Sequence, residues 1–123
     1  MLLLTLALLA QGAATSAPRV VGTYPVEGAV VAAGKVTIRV TFDRAMRPDS
    51  YSFVDSARGR FPDCGEVRPA VSADARSFSI ECTLRPGQDY ALGFNGGSFR
   101  NFVGARDGEP AEPSSLAFAT RPE

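Results

Sequence analysis

Hydrophobic and polar residues alternate without a break from Lys35 to Phe42. The apolar members share one face of an extended chain and the polar members share the other: Val36, Ile38, Val40 and Phe42 on the first, and Lys35, Thr37, Arg39 and Thr41 on the second. A period of two that is rich in β-branched residues is typical of a strand with one buried and one exposed face. This stretch therefore predicts an antiparallel sheet that packs against a core on one side.

The same alternation recurs in short runs that turn residues separate. Seven strands are predicted: Arg19–Tyr24, Lys35–Phe42, Tyr51–Val54, Glu66–Ser72, Ser77–Leu84, Tyr90–Asn95 and Ser115–Thr120. The nine prolines and twelve glycines are spread along the chain with its short apolar runs, which favours an all-β chain over a helical one. Seven short strands in one domain of this size predict an immunoglobulin-like antiparallel β-sandwich.

The first seventeen residues differ from the rest of the chain. Their apolar run, Leu2–Ala10, is too short to span a bilayer as an anchor. Small residues follow from Gly12 to Ala17, as at a secretory cleavage site. We therefore predict a cleaved signal peptide over residues 1–17, one domain over residues 18–123, and a secreted or periplasmic protein without a membrane anchor after cleavage. A buried N-terminal helix is the alternative interpretation.

Charge and histidine content exclude several classes of function. Thirteen basic and thirteen acidic side chains give a formal net charge of +0, so no overall field attracts nucleic acid or an anionic membrane. The chain contains no histidine, which excludes Ser-His-Asp and Cys-His catalysis in their usual form. The single lysine, Lys35, lies on the polar face of a predicted strand. We expect a protein that is not an enzyme and that binds no cofactor or metal.

Three features that could carry chemistry have simpler structural interpretations. The aspartates of the Asp43–Asp49 loop could supply oxygen ligands for Ca²⁺, but solvated turn aspartates are commoner. Tyr90 is predicted to form a tyrosine corner, with its ring in the core and its hydroxyl bonded to backbone near Arg85 and Pro86. Met46 is predicted to cap one end of the core, because methionine adapts to irregular gaps.

Cys64 and Cys82 form a disulfide by default if the chain is exported to an oxidising compartment. In a regular hairpin between Gly65–Ser72 and Ser77–Leu84, however, Cys82 lies opposite Val67 and not opposite Cys64. A bulge or a folded-back loop is then needed to bring the two Cα atoms within about 7 Å. The alternative is a free Cys82 that points inward and fills core.

The segment from Asn95 to Pro113 is longer than most hairpin connections, which favours a binding loop. Phe99, Arg100 and Phe102 are its candidate binding residues, because aromatic and arginine side chains dominate binding energy at interfaces. In the alternative interpretation, Phe99 and Phe102 lie under the loop and close the end of the sandwich.

Several short motifs occur in a characteristic order along the chain. They are Val20-Val21 to Tyr24-Pro25, Gly28-Ala29, Val40-Thr41-Phe42 with Asp43-Arg44-Ala45-Met46, Leu84-x-Pro86-Gly87-x-x-Tyr90, Gly108-x-Pro110-Ala111 and Leu116-x-Phe118-x-Thr120. In this order and spacing the chain resembles the bacterial Ig-like domains of the SbsA type over essentially all of its predicted mature part. The resemblance implies a non-catalytic, extracytoplasmic module for protein interaction or cell-envelope structure.

The opening pattern also resembles small periplasmic Ig-like proteins of the copper-resistance type. This second resemblance makes a periplasmic small-ligand or metal carrier the alternative function. Those proteins bind copper mainly through histidines, and the absence of histidine from this chain disfavours that alternative. For the interaction module, the expected partner is a protein, a cell-envelope component or a glycan. It is expected to bind through loop residues and an exposed strand edge.

Overall fold

The computed structural model describes residues 16–123, so the predicted signal peptide lies outside the described residues except for Ser16 and Ala17. The backbone of this part forms eight strands: β1 Val20–Tyr24, β2 Val30–Val31, β3 Gly34–Phe42, β4 Phe53–Val54, β5 Ala70–Val71, β6 Ser77–Leu84, β7 Asp89–Phe94 and β8 Ser114–Thr120. Over residues 16–123 there is no helix long and apolar enough to cross a membrane.

The strands form two four-stranded sheets, in the orders β1-β3-β6-β5 and β2-β8-β7-β4. All neighbours pair antiparallel except β2 and β8, which pair in parallel. The predicted all-β, immunoglobulin-like sandwich is confirmed. Because only residues 25–29 separate β1 from β2, these two edge strands lie on one lateral side of the sandwich, and the opposite edge strands, β5 and β4, lie on the other.

The long strands lie where the alternation predicts them, and the short ones differ. The strand Ser77–Leu84 has the predicted bounds, and Lys35–Phe42 is extended by Gly34. The predicted strand Glu66–Ser72 contains paired residues only at Ala70–Val71. The strand β2 has only two residues, which is too short to show an alternation in the sequence. It is defined by its pairing with β8.

The core lies between the two sheets and takes every second residue of the long strands. Its strand residues include Ile38, Val40, Phe42, Phe78, Ile80, Cys82, Leu84, Tyr90, Leu92, Phe94, Leu116 and Phe118, all buried. Removing a large apolar side chain of this kind from water stabilises a fold by about 1.5–3 kcal/mol. This gain explains why the alternation in the sequence is so strict in β3 and β6.

Tyr90 forms the predicted tyrosine corner. Its hydroxyl oxygen accepts a hydrogen bond from the Arg85 backbone N–H at 2.7 Å. Its ring is buried and stacks on Phe118, with the ring centroids 5.7 Å apart. Met46 is fully buried in the same core, as predicted.

The chain after β4 covers the outer edge of β7. The Arg60 backbone N–H donates to the Asp89 carbonyl at 3.1 Å, and the Ala91 N–H donates to the Arg60 carbonyl at 3.0 Å. Gly59 lies so close to β7 that a Cβ atom there would come within 2.7 Å of the Tyr90 carbonyl carbon. Glycine is therefore required at residue 59. The short strand β4 covers only one end of β7, and the segment around Arg60 covers more of the same edge.

A disulfide joins Cys64 and Cys82, with an S–S distance of 2.09 Å. In the pairing of β5 with β6, Ala70 lies opposite Ser79, a register that would place Val67 opposite Cys82. A separate bridge pairs Asp63 with Thr83, three residues out of that register. The chain between these pairings loops out, and this brings Cys64 beside Cys82. The disulfide and the folded-back loop are confirmed, and the free Cys82 is wrong.

The segment between β7 and β8 crosses the end of the sandwich and inserts Phe102 into the core. Phe102 has no exposed surface. Its ring centroid lies 5.0 Å from that of Phe42, 5.1 Å from those of Phe53 and Phe78, and 6.4 Å from that of Phe94. Since these four rings come from both sheets, Phe102 joins the two sheets at this end.

Asn95, directly after β7, holds the same segment in place through hydrogen bonds of its side chain. Its amide nitrogen donates to the carbonyl oxygens of Phe102 and Ala111, both at 3.0 Å, and its amide oxygen accepts from the Phe102 N–H at 3.0 Å. The residue is buried and has a φ of 63°, a conformation that asparagine tolerates better than most residues. One buried amide therefore satisfies three backbone groups of the loop.

We predict that Asn95→Asp lowers the free energy of unfolding by about 3 kcal/mol, because an oxygen replaces the donor that faces two buried carbonyls. Aspartate tolerates the same backbone conformation, so the loss reports on the hydrogen bonds. Urea denaturation at pH 7 measures it. The control is Asn101→Asp in the same loop, where the side chain is exposed and the change should stay within about 0.5 kcal/mol. Equal unfolding midpoints for the two variants would contradict the role of Asn95.

Reduction of the disulfide should lower the free energy of unfolding by about 3 kcal/mol, because the bond closes a loop with a sequence separation of 18. Urea unfolding with and without dithiothreitol tests this. A Cys64→Ala/Cys82→Ala variant serves as the control and should be insensitive to the reductant. An unchanged midpoint of the wild-type protein after complete reduction would show that the bond does not stabilise the fold.

Candidate functional site

Phe99 projects from a tight turn in the loop between β7 and β8. The Gly96 N–H donates to the Phe99 carbonyl at 2.8 Å, and the Phe99 N–H donates to the Gly96 carbonyl at 2.9 Å. Gly97, the first residue inside this turn, has a φ of 55°, which is where two-residue hairpin turns favour glycine. The turn begins next to Asn95 and ends near Phe102, so both of its ends are fastened to the core.

The structure separates the three candidate binding residues of this loop. Phe99 is 62% exposed and Arg100 is exposed, whereas Phe102 is fully buried. The hydrogen bonds between Asn95 and the Phe102 backbone direct the Phe102 ring between the sheets. This corrects the prediction for Phe102, which has no surface that a partner could contact. The alternative interpretation, a ring under the loop, holds for Phe102 and not for Phe99.

Two shallow apolar grooves flank Phe99 on the outside of β4. Their volumes are about 230 and 270 Å³, and both are lined by Phe53, Val54 and Phe99. Tyr51 and Val67 complete the apolar lining of the first groove, and Phe61 completes that of the second. We call these six residues the Phe99 patch: Tyr51, Phe53, Val54, Phe61, Val67 and Phe99.

Hydrogen bonds tie the β4 side of the patch to the Phe99 loop. The Ser52 carbonyl accepts from the Asn95 N–H at 3.0 Å, and the Ser52 hydroxyl oxygen accepts from the Asn101 N–H at 3.0 Å. Phe53 contacts both regions, because it lines the grooves and its ring centroid lies 5.1 Å from that of Phe102. The patch is therefore built directly on the core.

The remaining side of the patch depends on the disulfide. Val67 belongs to the segment that loops out between the Asp63 bridge and β5, and Cys64 fastens this segment to β6. Without that loop, Val67 would continue the regular pairing opposite Cys82. Sequence reasoning missed five of the six patch residues, since all five lie far from Phe99 along the chain: Tyr51, Phe53, Val54, Phe61 and Val67. The folded-back loop accounts for Val67, whereas Phe61 lies before that loop, beside the bridge between Arg60 and Tyr90.

Polar groups surround the apolar centre of the patch. The Arg100 side chain donates through Nε to the Gly97 carbonyl at 2.9 Å, which keeps its guanidinium group beside the turn. Asp55 lies at the margin of one groove and Asn101 at the margin of the other. An apolar centre with a polar rim is the usual arrangement at a protein interface.

The acidic side chains form ion pairs and do not converge on a common metal-binding site. Asp43 accepts hydrogen bonds from Arg44 Nε at 2.9 Å and from the Arg19 N–H at 3.2 Å. The Arg44 hydrogen bond is the main reason why the pKa of Asp43 is lowered from its ordinary value. Among residues 16–123, no three His, Cys, Asp or Glu side chains are grouped so that they could hold a metal ion.

Two solved structures share this fold. CopC from Methylosinus trichosporium OB3b has a TM-score of 0.60 and 19% sequence identity, over 86% of this chain and 95% of CopC. The surface layer protein SbsC, domains 1–6, has a TM-score of 0.53 and 16% identity over 88% of this chain, and this chain spans 14% of that structure. At these identities the similarity concerns the fold.

Sequence comparison places the chain in a family. A comparison with curated proteins finds no match. The family described as bacterial Ig-like domain matches residues 14–120, a range that includes all eight strands of the sandwich. The matched range contains both the tyrosine corner and the loop that carries Phe99. The chain therefore belongs to the bacterial Ig-like domain family.

Proposed function

We propose that this protein is a non-catalytic, extracytoplasmic module that binds a protein partner through the Phe99 patch. The family supports an interaction module. The predicted signal peptide and the motifs of the SbsA type support a secreted or periplasmic location and a role in the cell envelope, and the shared fold with the surface layer protein SbsC is consistent with them. The observation that carries the proposal is the exposed Phe99 ring on a turn that is fastened at both ends.

An exposed aromatic ring on a fixed turn is well suited to binding. Covering a phenylalanine that is otherwise in water contributes about 1.5–3 kcal/mol when burial is complete. The hydrogen bonds of the turn and of Asn95 already hold the backbone, so little conformational entropy is lost when a partner binds. Phe99 therefore has the properties of an interface hot spot, and Arg100 beside it adds a cationic donor at the rim.

The shape of the patch favours a protein over a small ligand. Pockets for small molecules usually have volumes of about 300–1,000 Å³ and enclose most of the ligand. The grooves beside Phe99, of about 230 and 270 Å³, are shallow and together flank one ring. A partner that places an apolar side chain on each side of Phe99 fits this geometry. A glycan is less well matched, because the groove linings are mostly apolar.

A carrier of the copper-resistance type is the second candidate, and the fold similarity to CopC is what favours it. The donor groups of this chain do not fit a copper site. The chain has no histidine, Cys64 and Cys82 are bonded to each other, and Met46 is fully buried. Since copper sites in proteins use imidazole, thiolate or thioether ligands, we do not assign copper binding to this protein.

The test compares wild-type protein with Phe99→Ala in a pull-down from an extracytoplasmic extract, followed by affinity measurement on the partner that is recovered. We expect the variant to bind about 30-fold more weakly, the effect of a hot-spot residue worth about 2 kcal/mol. Val26→Ala is the matched control, because Val26 is equally exposed but lies near β1 and β2 on the other lateral side. Its affinity should be unchanged.

Urea denaturation must show that both variants are folded, with changes within about 0.5 kcal/mol. If Phe99→Ala folds normally and keeps every partner at wild-type affinity, the Phe99 patch is not the binding surface.

A further inference from the structure

The place beside Cys82, on the side of β6 that faces β5, can be filled by either of two residues. In the structure Cys64 fills it, because the disulfide joins Cys64 to Cys82. In the register that pairs Ala70 with Ser79, the residue opposite Cys82 is Val67. Cys64 and Val67 therefore compete for one place, and the covalent bond decides in favour of Cys64.

The same side of β6 is incompletely paired. The Thr83 N–H donates to the Asp63 carbonyl at 2.7 Å, and Ser79 pairs with Ala70. Peptide groups along an antiparallel strand point alternately to its two neighbours, so those of Glu81, between Ser79 and Thr83, point to this side as well. Within residues 16–123 they form no backbone hydrogen bond to the segment that loops out.

The looped-out segment, residues 64–69, is compatible with the regular register. Continued from Ala70, this register forms three further pairs: Pro69 with Ile80, Arg68 with Glu81, and Val67 with Cys82. Arg68 then satisfies the open peptide groups of Glu81. The proline at residue 69 falls between two hydrogen-bonded pairs, where no N–H is needed.

The regular register takes Val67 out of the Phe99 patch. Val67 lines a groove of the patch together with Phe53. The rings of Phe53 and Phe78 both lie 5.1 Å from that of Phe102, so this groove is near the Phe78 end of β6. Cys82 is four residues further along β6, about 13 Å at the usual rise of a strand. A valine opposite Cys82 therefore no longer lines the groove.

Cys64 is the more accessible half of the disulfide. It is half-buried and lines a groove of about 340 Å³ beside Thr37 and Glu81. Cys82 is 3% exposed and lies in the core. Thiol–disulfide exchange requires that a thiolate reaches one of the two sulfurs. The groove gives this access to Cys64.

We propose that Cys64 is a site of thiol–disulfide exchange with a dithiol reductant, and that reduction moves Val67 out of the Phe99 patch and weakens binding there. One thiolate of the reductant attacks Cys64 Sγ and forms a mixed disulfide, while Cys82 leaves as a thiolate and takes up a proton. The second thiol of the reductant then attacks the reductant's own sulfur in the mixed disulfide. Cys64 is released as a thiol and the reductant is left as a disulfide. The effect on binding rests on the proposed function, whereas the movement of Val67 does not.

Amide hydrogen exchange, measured by NMR before and after treatment with dithiothreitol, tests the movement of Val67. Because Arg68 pairs with Glu81 only in the regular register, we expect the Glu81 amide to exchange at least about 10-fold more slowly after reduction. Ser79 pairs with Ala70 in both registers and is the control for a general change in stability. A Glu81 amide that exchanges equally fast or faster in the reduced protein overturns the proposal.

Mass spectrometry tests the point of attack. Brief treatment with glutathione, an acid quench and alkylation in urea should give glutathione on Cys64 and the alkyl group on Cys82. The reverse distribution would show that the buried sulfur is the one attacked, which contradicts the proposal.

Affinity for the partner recovered in the pull-down tests the effect on binding. We expect reduction to weaken binding about 10-fold, because one wall of the patch is lost. Oxidised Val67→Ala lacks the same contact and should bind about as weakly, with little further loss on reduction. Cys64→Ala/Cys82→Ala should bind like the reduced protein whether or not dithiothreitol is present. Urea denaturation confirms that each form is folded.

The variant Phe99→Ala separates this proposal from the proposed function. If Phe99→Ala weakens binding and reduction does not, the Phe99 patch stands as the binding surface and the redox control is wrong. If neither change weakens binding, the proposed function is wrong, and slower exchange at Glu81 after reduction still supports the movement of Val67.

Discussion

The structure depends most on how the loop between β7 and β8 is fastened to the core. A long loop loses much conformational entropy when it is ordered, so its position has to be maintained by buried contacts. Phe102 supplies these contacts through four aromatic rings from both sheets. Asn95 supplies the hydrogen bonds that a buried loop backbone needs. Together they close the sandwich and fix the turn from which Phe99 projects.

The second constraint is covalent and acts on the other side of the same patch. The disulfide between Cys64 and Cys82 holds a segment that has left the regular pairing of β6, and this segment presents Val67. The proposed binding surface is thus assembled from three regions that are distant in sequence and rigid in the fold.

Sequence periodicity predicts the parts of this fold in which burial alternates over many residues. β3 and β6 are such parts, and the spacing of the tyrosine corner at Tyr90 is a local signal of the same quality. The conformation of the loop between β7 and β8 cannot be predicted in this way, because Phe99 and Phe102 are the same residue type and lie only three residues apart. Their opposite positions follow from hydrogen bonds of Asn95 that connect distant backbone groups. Val67 joins the patch through a register shift that no pattern in the sequence reveals.

The central claim is that the loop is as rigid as the sheets that carry it. Amide hydrogen exchange, measured residue by residue by NMR, tests this most directly. The N–H groups of Phe102 and Ala111 are bonded inside the protein, and we expect them to exchange as slowly as those of Leu92 in β7, through global unfolding. If they instead exchange as fast as the amide of Ser98, which is exposed in the turn, the loop opens on its own and the account is contradicted.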